Sequence, residues 1–90
     1  MRHSWRWYVY VIECKDGTYY TGLNWDLAAR YRQHLSGQGG KYTARHGVHR
    51  LVYSECFEDL ETARLRERQI KYWSQKKKLN LISGYWGQEW

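Results

Sequence analysis

The feature that most constrains this sequence is a segment near its start, Trp5 to Cys14, in which aromatic and β-branched residues alternate. Alternation of this kind has the period of a β-strand, whose successive side chains lie on opposite faces. The sequence Lys15-Asp16-Gly17-Thr18 that follows is typical of a hairpin turn, and Thr18–Gly22 then returns as a short second strand that ends at glycine. The chain is therefore predicted to begin with a β-hairpin.

The two faces of the first predicted strand differ in composition. Trp7, Val9 and Val11 lie on one face, and Tyr8, Tyr10, Ile12 and Cys14 lie on the other.

A first helix is predicted directly after the hairpin, with Asn24 or Asp26 as its cap. Four of its residues recur at the spacing i, i+3, i+4 and i+7 and share one face, namely Leu27, Arg30, Tyr31 and His34. Arg30 and His34 therefore project together, either as part of a site or as a chance pair of cations on a solvated face.

The remaining elements are one strand and two helices. Leu51–Phe57 predicts a third strand, and Asp59 can cap a long helix that runs to about Trp73. A final basic segment, Lys76-Lys77-Lys78, leads into Leu79, Leu81 and Ile82. The order strand, strand, helix, strand, helix, helix predicts an α/β fold of the α+β type, in which helices flank a three-stranded, mainly antiparallel sheet.

The length of the chain limits the number of domains. Ninety residues support one hydrophobic core, since a chain of this size buries about 60–65 % of its unfolded surface. Residues 1–90 are therefore predicted to form a single domain. The segment from Ser36 to Gly47 is rich in glycine and basic residues, and it predicts a mobile basic loop within that domain.

The charge balance favours a polyanionic partner. Fifteen Lys and Arg residues against nine Asp and Glu residues give a formal net charge of +6 and a pI near 9.5. Nucleic acid is the leading interpretation, while an anionic membrane surface and simple solubility remain open. No apolar run approaches the roughly 20 residues of a membrane span, and Met1-Arg2-His3-Ser4 lacks the apolar segment of a signal peptide. A cytoplasmic location is therefore expected, with Cys14 and Cys56 as reduced, packed thiols.

One carboxylate is predicted in an unusual place. The helical period places Glu67 on the same side of its helix as Leu60, Ala63, Ile70 and Ser74, so that it points inward. A carboxylate next to a core must be paired, hydrogen-bonded or bound to a metal, because burying it alone costs several kcal/mol. A salt bridge to one of the arginines is the simplest interpretation, and a metal site is the alternative.

Taken together, these segments resemble the GIY-YIG nuclease superfamily, and most closely its small stand-alone proteins. Tyr8-Val9-Tyr10 is similar to the GIY element and Tyr20-Thr21-Gly22 to the YIG element. The resemblance continues through the helix with Arg30 and His34, the glycine-rich stretch from Gly37 to Thr43, and the helix around Glu67. In this chain Tyr8 replaces the glycine of the motif, Thr21 replaces its isoleucine, and Leu23 stands where some members have lysine.

The resemblance implies an endonuclease that hydrolyses phosphodiester bonds in DNA and acts in repair, recombination or processing. By this resemblance Glu67 binds a divalent ion, Mg²⁺ or Mn²⁺, and Arg30 contacts phosphate oxygens. Tyr10 orients and deprotonates the water, Tyr20 positions water or phosphate, and His34 relays the proton. A further set suited to contacting phosphate lies on the predicted basic loop: Lys41, Thr43 and Arg45.

Other functions and partners remain open. RNA is not excluded as a substrate, and the absence of a separate DNA-binding domain leaves room for a protein partner that directs targeting. The rival interpretation is a nucleic-acid-binding module that keeps this fold, has little nuclease activity and acts through such a partner.

The proposed chemistry imposes a condition on the hairpin, because Tyr10 and Tyr20 must face the same site. A two-residue turn at Asp16-Gly17 would place the two tyrosines on opposite faces of the sheet. A three-residue loop, Lys15-Asp16-Gly17, pairs Cys14 with Thr18 and Ile12 with Tyr20, and it requires Gly17 in the left-handed conformation. The sequence therefore predicts this second register.

Overall fold

A three-stranded, fully antiparallel sheet in the order β2-β1-β3 forms the centre of the molecule in the computed structural model, which describes residues 6–84. The strands are β1 (Trp7–Cys14), β2 (Tyr19–Asn24) and β3 (Val48–Phe57). This sheet confirms the prediction of a three-stranded antiparallel fold. The expected first residue of the first strand, Trp5, lies outside the described residues, as do Met1 to Ser4.

Four helices accompany the sheet: α1 (Leu27–Leu35), α2 (Lys41–His46), α3 (Leu60–Lys71) and α4 (Gln75–Ser83). Three of them are capped by polar side chains that precede them. Asp26 accepts a hydrogen bond from the backbone of Ala29, Asp59 from that of Thr62, and Ser74 from that of Lys77. Apart from α2, the order of elements is the predicted one.

The short helix α2 corrects one expectation. The sequence predicts a mobile loop from Ser36 to Gly47, yet Lys41–His46 is helical. Six residues are too few to form a stable helix alone, so contacts with the rest of the molecule hold it in place. The main anchor is Thr43, which is only 2 % exposed. Gly40 and Gly47, with φ angles of 141° and 76°, turn the chain into and out of the helix.

The central strand β1 is buried on both faces, which creates two hydrophobic clusters. On one face Val9 and Val11 pack with Ala63 and Ile70 of α3 and with Leu81 of α4. On the other face a second cluster involves Tyr10, Ile12 and Cys14, with Tyr20, Leu27 and Tyr31 packed against it. Each fully buried aliphatic side chain contributes about 1.5–3 kcal/mol relative to an exposed one, so the two clusters hold helices against both faces.

The hairpin has the predicted register. Tyr20 pairs with Ile12 and Gly22 pairs with Tyr10, so the side chains of Tyr10 and Tyr20 lie on one face. The backbone N–H of Cys14 donates to the carbonyl of Thr18 over 2.8 Å, and Gly17 has a φ angle of 87°. The three-residue loop and the left-handed glycine are therefore both confirmed.

Both cysteines are free thiols, and Cys14 is buried as predicted. The expectation that Cys56 is packed is wrong, because it lies exposed on the edge strand β3. Within residues 6–84, no helix is both long and apolar enough to cross a membrane.

Candidate active site

Tyr10, Tyr20 and His34 meet on the face of the sheet that α1 covers. The centroid of the Tyr20 ring lies 6.4 Å from that of Tyr10 and 5.2 Å from that of the His34 imidazole. The Tyr10 and His34 rings are 5.8 Å apart and meet edge to face. Two adjacent strands and one helix thus bring together three side chains that are far apart in sequence.

A buried chain of hydrogen bonds runs through this cluster. The hydroxyl oxygen of Tyr10 lies 2.9 Å from Nε2 of His34, and Nδ1 of His34 lies 2.7 Å from Oγ1 of Thr43. All three side chains are almost completely buried, with exposed fractions of 2 % or less. In such surroundings hydrogen bonds are strong and a lost partner is costly.

Two glycines make room for these side chains. A Cβ atom at Gly22 would lie 2.4 Å from Cζ and from the hydroxyl oxygen of Tyr10. A Cβ atom at Gly39 would lie 2.5 Å from Nδ1 and 2.7 Å from Cα of His34. The Tyr10 ring therefore lies directly over the backbone of β2, and the segment before α2 packs against His34.

The cluster is electrostatically unusual. Burial raises the pKa of Tyr10 to about 12, while hydrogen bonding and charge from Arg30 oppose the rise, and Tyr20 and the carboxylate of Glu67 add to it. Burial, assisted by the positive charge of Arg30, lowers the pKa of His34 to about 4. At neutral pH the tyrosine is thus a neutral phenol and the histidine a neutral imidazole.

Arg30 lies at the border of the cluster and is half-buried. Its Nη1 atom donates to Oε1 of Gln33 over 2.9 Å, and its charge acts on both Tyr10 and His34. A guanidinium in this position can bind phosphate oxygens.

Glu67 lies on α3, the helix that packs against the other face of the sheet. Its neighbours at the helical spacing, Ala63 and Ile70, are fully buried, whereas the Glu67 side chain is 21 % exposed. Glu67 therefore borders the core, and its charge acts on Tyr10. Within residues 6–84 its ion-pair partner is Lys71, with Nζ 3.9 Å from Oε2, and not an arginine.

The surroundings of Glu67 limit how a metal could bind. Among residues 6–84 no group of three or more His, Cys, Asp or Glu side chains could hold an ion. A partly exposed single carboxylate fits a Mg²⁺-like ion, which binds one or two carboxylates and keeps water and phosphate oxygens as its other ligands.

The three residues expected to contact phosphate fall into two groups. Lys41 and Arg45 are exposed on α2, where they are accessible to a polyanion. The expectation for Thr43 is wrong, because its side chain is buried and its hydroxyl is bonded to His34.

Sequence reasoning also missed a row of rings that continues from the cluster. Tyr42 lies 5.7 Å from Tyr20 and stacks on His46 at 4.1 Å, measured between ring centroids. His46 is in turn paired with the carboxylate of Asp16 in the hairpin loop. The i, i+4 spacing of Tyr42 and His46 would have indicated the stack if the helix had been recognised.

Comparison with known proteins identifies the family to which this sequence is similar. The family model for the GIY-YIG catalytic domain matches residues 6–80. The UPF0213 protein BH0048 of Halalkalibacterium halodurans is 45% identical over 76 residues, which cover 84% of this chain and 81% of that protein. The UPF0213 protein SSP2268 of Staphylococcus saprophyticus is 46% identical over 76 residues, which cover 84% of this chain and 93% of that protein.

Two solution NMR structures share the fold. That of the UPF0213 protein BH0048 from Bacillus halodurans has a TM-score of 0.56 and 44% identity, with 87% of this chain and 83% of that chain covered. That of the protein EF2693 from E. faecalis has a TM-score of 0.61 and 31% identity, with 94% of this chain and 91% of that chain covered.

Proposed function

This chain belongs to the GIY-YIG nuclease superfamily, and from that premise we propose that it is a metal-dependent endonuclease that hydrolyses phosphodiester bonds in DNA. The observation that carries the proposal is the convergence of Tyr10, Tyr20 and His34, with Arg30 and Glu67 near enough for their charges to act on Tyr10. These five residues come from four different elements. A structural role alone would not require a buried phenol, a neutral imidazole, a guanidinium and a carboxylate at one place.

The division of labour follows from the chemistry of each group. Hydrolysis needs a water molecule in line with the leaving oxygen. It also needs positive groups that stabilise the negative charge of the phosphoryl oxygens. Arg30 binds the non-bridging oxygens, and Tyr20 positions the water or the phosphate. Tyr10 takes a proton from the water as the water oxygen forms its bond to phosphorus. The bond to the leaving oxygen then breaks, and that oxygen takes up a proton from solvent.

Glu67 supplies the metal site in this proposal. In the protein alone its carboxylate helps to keep the pKa of Tyr10 high, which disfavours the phenolate that would accept a proton. A divalent ion, Mg²⁺ or Mn²⁺, held by Glu67 would neutralise that charge and stabilise charge on the phosphate. Burial remains the main cause of the high pKa of Tyr10, so the chief role of Glu67 in this proposal is to hold the ion.

The net positive charge supports a polyanionic substrate, and we assign phosphate contacts to Lys41 and Arg45, which are exposed on α2. We assign the activity to DNA repair, recombination or processing, in the cytoplasm, with RNA as an alternative substrate. A protein partner that directs targeting is part of this proposal.

A second function, favoured by the high pKa of Tyr10 in the protein alone, is a nucleic-acid-binding module without significant cleavage that acts through a partner. Incubating the purified protein with branched, flapped, single-stranded and duplex DNA separates the two. We expect cleavage of at least one substrate with Mg²⁺ or Mn²⁺, and none with EDTA. Tight binding without cleavage of any DNA or RNA under all these conditions would overturn the nuclease and favour the binding module.

A further inference from the structure

The proposed function does not determine which group donates and which accepts in the hydrogen-bond chain from Tyr10 through His34 to Thr43. Each group carries one proton when His34 is neutral, and two hydrogen bonds join the three groups. One proton must therefore remain unused at one end of the chain. Whichever end it occupies decides whether His34 accepts a hydrogen bond from Tyr10 or donates one to it.

The Thr43 end offers no place for the unused proton. Within residues 6–84, His34 is the hydrogen-bond partner of the Thr43 hydroxyl, and the side chain is only 2 % exposed. If Nδ1 of His34 donated to Thr43, the threonine proton would be buried without an acceptor, which costs about 1–3 kcal/mol.

The Tyr10 end is different. Tyr10 is itself only 1 % exposed, but the charges of Arg30 and Glu67 act on it, and both side chains, like that of Tyr20, are partly open to solvent. In the proposed function the water must come to the Tyr10 hydroxyl, so a proton on Tyr10 can turn toward that water, and a phenolate has no proton to place. The chain is therefore satisfied when Thr43 donates to Nδ1 of His34 and Nε2–H of His34 donates to the oxygen of Tyr10.

We propose that Thr43 is a positioning residue that holds His34 in the Nε2–H tautomer, so that His34 donates a hydrogen bond to Tyr10 and Tyr10 alone receives the proton of the water. The inference rests on the proposed function for its catalytic consequence, although the tautomer itself does not. It replaces the expectation that His34 relays the proton, since the donating nitrogen already carries one. A donor at its oxygen stabilises the phenolate form of Tyr10.

The packing of α2 explains how a short helix can hold this geometry. Gly39 lets the backbone before the helix approach His34 closely, and Tyr42 stacks between Tyr20 and His46. The hydroxyl of Thr43 is thereby fixed against Nδ1. In this arrangement α2 contributes to the chemistry of Tyr10 without touching it.

Nuclear magnetic resonance tests the tautomer directly. Long-range ¹H–¹⁵N spectra of the assigned wild-type protein at neutral pH distinguish a protonated from an unprotonated ring nitrogen. We expect His34 to show protonated Nε2 and unprotonated Nδ1. The opposite pattern would overturn the proposal, and this readout requires neither a metal nor DNA. A protein that does not cleave DNA but shows the expected tautomer would retract only the proposed function.

Thr43→Val and Thr43→Ser form a matched pair, because valine keeps the shape and removes the hydroxyl while serine keeps the hydroxyl. We expect Thr43→Val to lose the Nε2–H preference and to lower kcat about 10- to 100-fold, as when an orienting partner is lost, with KM nearly unchanged. The rising limb of its pH–rate profile should move to higher pH, because Tyr10 loses a donor. Thr43→Ser should keep the wild-type tautomer, kcat and pH–rate profile. A Thr43→Val protein with the wild-type tautomer and pH profile would contradict the proposal.

Discussion

Tyr10 owes its position to a small neighbour as much as to its hydrogen-bond partner. Its ring lies over Gly22 of the adjacent strand, where any side chain would occupy the space of the phenol. The second glycine, Gly39, gives His34 the same freedom. These residues matter at the active site because they have no side chain.

The first prediction concerns Gly22→Ala. The new methyl group would lie 2.4 Å from the Tyr10 hydroxyl oxygen, so the ring must shift and its hydrogen bond with His34 is disturbed. Overpacking of this kind costs about 1–3 kcal/mol, and we expect cleavage to fall strongly at temperatures where the variant is still folded. Urea denaturation and single-turnover cleavage measure the two effects.

Gly84→Ala is the matched control for this variant. Gly84 has a φ angle of 79°, and a Cβ atom added there would meet no other atom within 4 Å, so alanine strains the backbone by about 1–2 kcal/mol without a clash. It should lose stability and keep wild-type cleavage. Equal activity in the two variants would show that the position of the Tyr10 ring is not critical.

The sequence was sufficient to predict the meeting of Tyr10, Tyr20 and His34. Strand parity placed the tyrosines on one face once the three-residue loop was recognised, and the helical period placed His34 beside Leu27 and Tyr31. The environment of Thr43 could not be predicted, because it depends on how α2 packs. Its glycine-rich surroundings suggested an exposed loop, whereas the glycines allow close approach to His34.

At the scale of elements, α2 is linked to the hairpin loop by one ion pair. His46 at its last turn bonds to the carboxylate of Asp16, which also accepts hydrogen bonds from the backbone and the hydroxyl of Thr18. The stack of Tyr42 on His46 lies directly beside this contact. The ion pair therefore helps to hold the helix that carries Thr43.

The second prediction is a dependence of stability on acid pH. The hydrogen bond from His46, followed by those from Thr18, lowers the pKa of Asp16 to about 2. Because the unfolded value is about 3.9, this contribution to stability is complete above about pH 4 and disappears as the pH falls through 2. Thermal unfolding of wild type and Asp16→Asn between pH 6 and 2 should show a difference in Tm that shrinks with acid. A constant difference would exclude the carboxylate as its cause.

The elements themselves were predictable to different degrees. The capping residues Asp26 and Asp59 mark the starts of α1 and α3 correctly. The third strand begins at Val48 rather than Leu51. Its first residues are mostly polar, so the apolar alternation that predicts a strand begins only at Leu51. His49 and Arg50 both contact Glu13 on the neighbouring strand, at 3.3 and 2.9 Å, so cross-strand charge supports a segment without apolar alternation.

On the scale of the whole molecule, the excess of positive charge predicts how DNA binding responds to salt. Each Lys or Arg that contacts phosphate releases counterions, so the logarithm of the affinity falls linearly with the logarithm of salt concentration. With Lys41 and Arg45 exposed on α2, both are expected to take part in binding.

The third prediction is that Lys41→Gln combined with Arg45→Gln weakens binding and lowers the salt slope by about 2. Fluorescence anisotropy with labelled DNA in EDTA measures binding without cleavage. A control with the same loss of charge replaces exposed residues of α3 instead, Arg64→Gln with Arg68→Gln, and should change the slope much less. If both pairs have equal effects, α2 is not a preferred contact.

We infer that Glu67 gives this cluster a metal-dependent nuclease activity, and a single-turnover cleavage assay of Glu67→Ala tests that inference. Glu61→Ala, at an exposed position in the first turn of the same helix, is the matched control. We expect Glu67→Ala to remain folded and to bind DNA in EDTA like wild type, yet to show no cleavage with Mg²⁺ or Mn²⁺, while Glu61→Ala cleaves normally. Wild-type cleavage by Glu67→Ala would contradict the account and leave Glu67 as the ion-pair partner of Lys71.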